Sequence, residues 1–485
     1  MTDLNYFHGS RVLESSETAS LFTVSNHNAT IYIGTSEDAD ASAYPLNEPT
    51  IVSGASLLTA LGSGWLAKAV RTHFAEKGSG VIVTRVAAGA NAAATEANVI
   101  GDMGLRTGIY SLLACKARLG IRPVVVVVEG NTGAIIENGA VSVTLSGGGS
   151  NLTEAPTVSV TGGGTASGKV LPVLAVEMGT GTAAGTVTAV RIVSTGKNMT
   201  TAPTLTFAGG GDDPGKVLPA ATVNLGDVGN ALIVALQGAL AMAGRGRAYV
   251  QGPGQDNAAA VRWRQTITGG RILPIDPAGI ELQDGAPVAV PIAPVFAGIR
   301  SRVVSGSEGV SGSVSNKAIL SLAGVARTII YPDDSNYLNE NHVATVINEN
   351  GLRTWGSRLA TDEPLWAFDS VRAVGDLVND ALEQIYFRWV DRRFTAANLK
   401  QMIEDGNAAL RVLRDAGHII GGKVWLSDLN QPTLNAQGRV YLNVEYEPTG
   451  IMEQITVTTH RNILYYQLLL DQVRGAIEDG PLTVS

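Results

Sequence analysis

A tandem repeat in the middle of the chain constrains its fold more than any other feature. Residues 153–160 recur as residues 200–207, and residues 168–172 recur as residues 215–219, both at an offset of 47 residues. Short alternating runs separated by triple glycines are typical of β-strands and tight turns. A repeat of this length is one small supersecondary unit present twice. We therefore predict an inserted all-β module with two repeats over residues 130–228.

Helix and strand patterns alternate on both sides of this module. Before it, residues 54–76 have helical spacing and residues 81–86 form a short apolar run that is typical of a strand. After it, helical spacing resumes at residues 230–243. Such alternation predicts an α/β fold. We expect one outer α/β domain, interrupted by the module and built from residues 21–129 and 229–340.

The last third of the chain is predicted to be a separate inner domain over residues 341–478. Its apolar spacing predicts three helices, over residues 371–389, 396–415 and 461–477. Between the last two, alternation predicts a hairpin of residues 439–446 and 454–459. The inward side chains of this hairpin would be Val440, Leu442, Val444, Ile455 and Val457.

The two ends of the chain are predicted to be extended arms, over residues 1–20 and 479–485. Neither end has the sustained apolar period of a helix, and both are too short to fold alone. A chain of 485 residues with 45% apolar residues is long enough for more than one core. The predicted fold class is α/β (α+β), multidomain, with an inserted β module and two arms.

Composition excludes several classes of partner. A formal charge of −8 argues against nucleic acid, because affinity for phosphates comes from excess Lys and Arg. The apolar run of residues 124–128 is far shorter than the ~20 residues that span a bilayer, so we expect no membrane segment. Cys115 has no cysteine to pair with, and the first residues lack the pattern of a secretory signal, so we expect synthesis and assembly in the cytoplasm.

Two glycine-rich motifs resemble nucleotide sites without completing them. Residues 163–170 and 210–217 match a phosphate loop except that Val follows the lysine, and Pro172 and Pro219 prevent the helix that such a loop must open. Residues 62–67 resemble a dinucleotide fingerprint but lie within a helical pattern rather than after a strand. We interpret both copies of the lysine motif as turns of the β module and residues 62–67 as part of a helix, so no cofactor is predicted.

The spacing of the reactive residues does not match a catalytic site or a metal site. The six histidines are never paired at the spacing of metal ligands. Asp333 and Asp334 follow Tyr331 and Pro332 as residues of a turn, rather than as a catalytic pair. We predict neither a metal site nor an enzyme.

Several blocks of the sequence, in order, closely resemble the contractile tail sheath proteins of temperate phages. They are residues 8–14, 25–40, 44–49, 338–340, 350–359, 362–366 and 438–448. The resemblance covers most of the chain outside the β module. In one departure, Ser357, Arg358 and Leu359 stand where relatives typically carry Asn-Arg-Thr. The structural motif of the resemblance comprises Trp355, Gly356, Arg358, Trp366 and Arg372.

The resemblance implies a structural subunit rather than an enzyme. It implies hexameric rings stacked in a helix around a tail tube, contraction that drives the tube through the host envelope during genome ejection, and a place in the virion. The implied partners are further copies of the chain, the tail tube protein, and the baseplate and tail terminator proteins. Arms would complete sheets in neighbouring subunits, by strand addition onto the predicted hairpin. The arm residues would be Tyr6, Phe7, Gly9, Val12, Leu13, Leu482, Thr483 and Val484.

Three alternatives remain open from the sequence. The sheath of a bacteriocin or another contractile injection system would have the same pattern. The β module could add glycan binding, because tandem β modules on virions sometimes hold carbohydrate. A nucleotide-driven motor would require the phosphate-loop motifs to be functional.

Overall fold

The computed structural model describes residues 27–53 and 55–478. The chain divides into two compact units, the first reaching Thr449 and the second starting at Gly450. Both predicted arms, with Tyr6, Phe7, Gly9, Val12, Leu13, Leu482, Thr483 and Val484, lie outside the described residues. The predicted domain boundaries stay a prediction.

The strands of the described residues are numbered in chain order. They are β1 (Thr30–Thr35), β2 (Pro49–Val52), β3 (Val81–Val86), β4 (Val125–Val128), β5 (Ile135–Gly147), β6 (Thr157–Gly162), β7 (Val173–Met178), β8 (Val187–Ser194), β9 (Pro203–Ala208), β10 (Ala220–Gly229), β11 (Arg247–Gln251), β12 (Ile272–Ile275), β13 (Gly279–Gln283), β14 (Ala286–Val290), β15 (Gly324–Val325), β16 (Thr345–Asn348), β17 (Leu352–Trp355), β18 (Ile419–Leu426) and β19 (Leu442–Pro448).

The α-helices of the described residues are numbered in the same way. They are α1 (Ala55–Ala60), α2 (Trp65–Ala75), α3 (Ala92–Ile100), α4 (Cys115–Leu119), α5 (Ala231–Ala243), α6 (Asn257–Gln265), α7 (Ala293–Ser305), α8 (Asp333–Glu340), α9 (Asp369–Phe387), α10 (Ala396–Asp415), α11 (Pro432–Ala436) and α12 (Tyr465–Glu478). Short 3₁₀ helices cover Gly108–Ala114, Gly181–Ala183, Gly309–Ser311 and Pro364–Trp366.

A six-stranded sheet forms the centre of the first unit, in the order β12-β11-β4-β1-β3-β2. Its strands are parallel except for β2, which runs antiparallel to β3. Alternate side chains enter cores on opposite faces, so that Tyr32 packs with α2 and α7 while Ile31 and Ile33 pack with α5. The valine run of β4 is an internal strand, between β11 and β1, and the α/β fold is confirmed.

One predicted helix of the α/β region is divided in two. Instead of a single helix over residues 54–76, α1 ends at Ala60 and α2 begins at Trp65. Between them, the carboxylate of Asp38 accepts hydrogen bonds from the backbone N (3.0 and 2.9 Å) and Oγ (2.6 Å) of Ser63. This tertiary contact stabilises the break, and local spacing does not reveal it.

The glycine-rich segment consists of six strands, β5 to β10. They form three antiparallel pairs, β5 with β10, β6 with β9 and β7 with β8. Chain entry and exit lie side by side, because Ile135 is paired with Gly229. That this segment is an insertion relative to shorter relatives stays a prediction.

The end of the first unit packs two long helices against a two-stranded sheet. The helix predicted over residues 396–415 is present with these bounds as α10, and α9 covers most of residues 371–389. The predicted hairpin is wrong in its partner strand. Strand β19 pairs antiparallel with β18, with Val444 opposite Val424. The reason is that Leu442 and Val444 pack on the core between α9 and α10, where β18 already lies.

The second unit, as described to residue 478, contains the helix α12. Residues 450–464 form neither strand nor helix, so the predicted strand through Ile455 and Val457 is wrong. Apolar alternation was the only signal for that strand, and both side chains are exposed rather than turned into a core. No helix of the described residues is both long enough and apolar enough to cross a bilayer.

Candidate functional site

The predicted recipient sheet is only partly assembled as expected. Leu442 and Val444 lie on β19, Val440 precedes that strand, and Ile455 and Val457 belong to the second unit. In the described part of the chain this sheet has two strands, β18 and β19, so each has an outer edge without a neighbouring strand. On the edge of β18, the Asn407 side chain of α10 accepts from the backbone N of Val424 at 2.8 Å and donates to its carbonyl at 3.3 Å. Its role as a recipient of arms from other copies stays a prediction.

The block around Trp355 connects β17 to helix α8. Trp355 packs edge-to-face on Tyr331, with ring centroids 5.4 Å apart. With its amide oriented to satisfy its neighbours, Asn339 of α8 accepts from Trp355 Nε1 at 3.2 Å and donates to the carbonyl of Val343 at 2.9 Å. Gly356 follows directly and contacts the same Asn339 side chain.

The arginines of this block stack on aromatic rings. The guanidinium of Arg358 lies 4.8 Å from the ring centroid of Phe368, and that of Arg372 lies 4.5 Å from the ring centroid of Trp366. Burial lowers the pKa of Arg372, but the group stays cationic at neutral pH. Cation–π contacts therefore hold Arg358 against Phe368 and Arg372 against Trp366.

Helix α9 carries a row of acidic side chains that the apolar pattern did not identify. Asp369, Asp376, Asp380 and Glu383 are spaced by seven, four and three residues, which places them along one face of the helix. The basic side chains that meet them come from elsewhere in the first unit and are Lys116, Arg122, Arg245, Arg247, Arg271 and Arg300, with His27. We call this set the α9 seam.

The buried end of the α9 seam is centred on Asp369. Its Oδ1 lies 2.7 Å from Nε of Arg247 on β11, and its Oδ2 lies 3.6 Å from Nε of Arg300 on α7. All three side chains are at most 2% exposed. Arg300 also donates to the carbonyl of Val310 at 2.6 Å. One carboxylate thus fixes a sheet strand, a helix and the start of α9 in one arrangement.

The middle of the α9 seam is held by Asp376. Its carboxylate accepts from Arg271 Nη1 at 3.0 and 2.9 Å, and from the backbone N of Gly246 at 2.9 Å. Arg247 Nη1 lies 3.7 Å from the same group. Asp376 therefore joins α9 to the residue before β11, Gly246, and to the residue before β12, Arg271.

The outer end of the α9 seam is more hydrated. Asp380 binds Arg122, lies 3.1 Å from Nε of Arg245, and lies 3.2 Å from Nε2 of His27. Burial alone would raise the pKa of Asp380, but His27 and the two arginines lower it below its usual value. Glu383 adds a 2.5 Å contact to Lys116, and hydrogen bonding from Lys116 lowers its pKa.

The two lysines of the phosphate-loop motifs bind their own turns. Lys169 Nζ donates to the carbonyls of Gly162 (2.8 Å) and Gly164 (2.6 Å), and Lys216 Nζ donates to the carbonyl of Gly211. A phosphate-binding lysine would have to leave these partners. The contacts favour the turn interpretation of both motifs.

The third motif, at residues 62–67, has its backbone donor at Ser63 bound by the carboxylate of Asp38. Hydrogen bonds from Ser63 lower the pKa of Asp38 to about 2, so this anion persists at neutral pH. A phosphate would have to displace it. This arrangement favours a structural turn.

Comparison with known proteins gives a consistent family. Residues 361–461 match the phage tail sheath C-terminal domain family. A prophage major tail sheath protein of Pseudomonas aeruginosa is 32% identical over 224 residues, which cover 44% of this chain and 58% of that protein. The tail sheath protein of Escherichia phage P2 is 26% identical over 185 residues, covering 37% and 46% of the two chains. The aligned part thus spans about half the length of these relatives.

Similarity of fold extends over nearly the whole chain. The contracted helical sheath of the anti-feeding prophage gives a TM-score of 0.57 at 13% identity, covering 95% of this chain and all of that one. The contracted sheath complex of an extracellular contractile injection system gives 0.55 at 12% identity, covering 96% and 100%. The resemblance stated from the sequence is confirmed: residues 361–461 match the phage tail sheath C-terminal domain family, and the chain has the fold of contractile sheath subunits.

Proposed function

We propose that this protein is the structural subunit of a contractile phage tail sheath. It polymerises with further copies of itself around a tail tube and contracts to drive the tube through the host envelope. Two findings together carry the proposal. Residues 361–461 match a tail sheath family, and 95% of the chain shares its fold with a contracted sheath. The chain acts in the virion, after assembly in the host cytoplasm.

Sheath function needs a subunit that transmits force without changing its own fold. The α9 seam supports this requirement, because it ties the helical end of the first unit to the parallel sheet through fixed charge pairs. A buried pair tolerates little misalignment, since any shift leaves a charge without a partner. Work would then come from contacts between subunits, where added apolar burial contributes about 25 cal/mol per Å².

Assembly in hexameric rings is part of the same proposal, with the tail tube protein inside the rings and the baseplate and tail terminator proteins at the two ends. Strand addition onto the open edges of the β18–β19 sheet would link one copy to the next. The arms that add these strands would be residues 6–14 and 482–485. No nucleotide is required, because a metastable extended state can release its energy on contraction.

Electron microscopy of the purified full-length protein tests the proposal. A sheath subunit should form ringed tubes or contracted polysheaths on its own at high concentration. Particles without axial repeat under all conditions of salt and pH would contradict it. Addition of ATP should change neither the polymer nor the phosphate concentration, and nucleotide-dependent contraction would favour the motor alternative instead.

Two alternatives are separated by further observations. Neighbouring capsid and terminase genes would favour a phage over a bacteriocin or another contractile injection system, whose sheath shares this fold. Glycan-array binding that is lost when residues 139–226 are replaced by a tight turn would add a carbohydrate role for the β module.

A further inference from the structure

The two repeats of the β module pair with each other and not with themselves. The first repeat supplies β5, β6 and β7, and the second supplies β8, β9 and β10. All of residues 135–229 are described, and among their six strands every ladder joins one repeat to the other. Counted as β5–β7 and β8–β10, each repeat has no ladder among its own three strands, and the central ladder of β6 with β9 joins equivalent strands wherever the repeat is taken to begin.

The pairing has the symmetry of a homodimer. Ser159 lies directly opposite Thr206, and these two residues are equivalent positions of the repeat, 47 residues apart. In a dimer with a two-fold axis, a residue on the axis faces its own copy in this way. The outer ladders obey the same relationship, because the pair of Val143 with Val223 has its equivalent in Val190 with Val176.

Contacts outside the ladders are also reciprocal. Ser150 and Val217 exchange two backbone hydrogen bonds of 3.0 Å each. Their equivalents, Lys197 and Val170, exchange two of 2.9 and 3.0 Å. Each pair joins the segment that follows the first strand of one repeat, β5 or β8, to the lysine turn of the other repeat. The same contact is therefore made twice.

The triple-glycine turns repeat the relationship in their backbone. The N–H of Thr153 donates to the carbonyl of Gly210, and that of Thr200 donates to the carbonyl of Gly163, both at 3.1 Å. The φ angles are 78°, 80° and 84° at residues 162–164, and 79°, 86° and 89° at residues 209–211. Such angles favour glycine, which explains why both copies keep three in succession.

The small cores of the module mix side chains from both repeats. Leu152 of the first repeat packs in a cluster with Val187, Val190 and Phe207 of the second. Its equivalent Met199, in the second repeat, packs with Ala140 of the first. Apolar burial, like the hydrogen bonding, therefore requires two repeats.

We propose that the 47-residue repeat is a self-associating unit, and that this chain carries its dimer in covalently joined form. The partner of the repeat is another copy of the same repeat, which supplies the matching strands, hydrogen bonds and apolar side chains. In a chain that retains one repeat, the central strand, β6 or β9, has lost its partner and would pair with the same strand in a second copy of the chain. This is domain exchange, in which an interface within one chain is rebuilt between two chains.

The test uses the full chain with one repeat removed. Deleting residues 153–199 joins Leu152 to Thr200 in phase, because residues 153 and 200 are equivalent. The shortened chain keeps the paired strands β5 and β10, but its central strand β9 loses its partner β6. Thr206→Cys then places one exposed thiol at the proposed two-fold axis. After treatment with a short bifunctional thiol reagent, we expect at least tenfold more covalent dimer than from the two-repeat chain with the same Thr206→Cys change. In that control Thr206 faces Ser159 of its own chain.

A second deletion separates pairing from misfolding. Removing residues 175–221 joins Leu174 to Thr222, and Ser159→Cys then occupies the axis. Both one-repeat chains should give cross-linked dimers in which the module resists limited proteolysis. A protease-resistant module without cross-linking would show that one repeat folds alone, and a protease-sensitive module without cross-linking would show that repeats of two chains do not pair. Either result overturns the proposal.

Discussion

Arg247 Nε and Asp369 Oδ1 lie 2.7 Å apart, and neither side chain is more than 2% exposed. The pair joins strand β11 to the first residue of α9, across 122 positions of sequence. A buried ion pair adds little net stability compared with apolar residues of similar size. Removing one partner, however, leaves the other charge buried without a counter-charge, which costs stability. The pair therefore selects one orientation of α9 against the sheet rather than strengthening the core.

Asp369→Asn should destabilise the first unit severely. The substitution keeps the shape of the side chain but leaves Arg247 and Arg300 without their shared anion. We expect a loss of about 3–5 kcal/mol in the free energy of unfolding, measured with urea. The control is Glu404→Gln, which breaks the exposed pair with Arg411 and should cost less than about 1 kcal/mol. Equal losses in the two variants would contradict a structural role of the buried pair.

Acid should weaken the outer end of the α9 seam. The pKa of Asp380 is lowered in the folded state, so its ionised form stabilises the fold above the pKa of the unfolded chain. This contribution is lost as pH falls through the lowered folded pKa. The difference in unfolding free energy between the parent and Asp380→Asn should therefore shrink as pH falls below about pH 4.

The pH series needs a control carboxylate in a less buried pair. Glu445 faces Lys423 at 3.0 Å with both side chains more than half exposed. Glu445→Gln should leave the pH dependence of stability almost unchanged, because exposed pairs contribute little. If the difference between the parent and Asp380→Asn stayed constant down to pH 2, Asp380 would not carry the predicted linkage.

Gly356→Ala should test the contact between the Trp355 block and α8. A Cβ at residue 356 would lie 2.3 Å from a terminal atom of the Asn339 side-chain amide, which is held by Val343 and Trp355. Gly351→Ala is the matched control, because its φ of 99° is close to the 94° of Gly356 but its Cβ would enter open space. Both should lose about 1–3 kcal/mol from backbone strain. Gly356→Ala should lose more, as measured by thermal unfolding, and equal losses would show that Asn339 yields without cost.

Local periodicity predicted the elements whose own apolar pattern is regular. Helix α10 and strand β3 have the predicted bounds because their apolar spacing is complete. The partner of β19 could not be predicted in this way, since alternation identifies a strand but not the strand beside it. The α9 seam had a signal, acidic residues at helical spacing, but their basic partners lie up to 353 residues away, as with His27 and Asp380.

The arms should be needed for assembly but not for folding. Residues 1–14 and the residues from Gly480 onward are too short to form a sheet alone, and a lone strand is only marginally stable in water. Each must therefore add to a sheet, and the open edges of the β18–β19 sheet in another copy are the proposed recipient. A chain without its first fourteen residues, or one truncated before Gly480, should unfold at the temperature of the parent but form no tubes under the electron microscope.

A larger deletion away from the arms controls for nonspecific damage to assembly. Replacing residues 139–226 by Asn-Gly closes β5 and β10 as a short hairpin, since the two strands are already paired at Ile135 and Gly229. That variant should still form tubes, although it loses many more residues than either truncation. Normal sheaths from both truncated chains would exclude strand exchange, because lateral contacts between the folded units would then have to carry the connection.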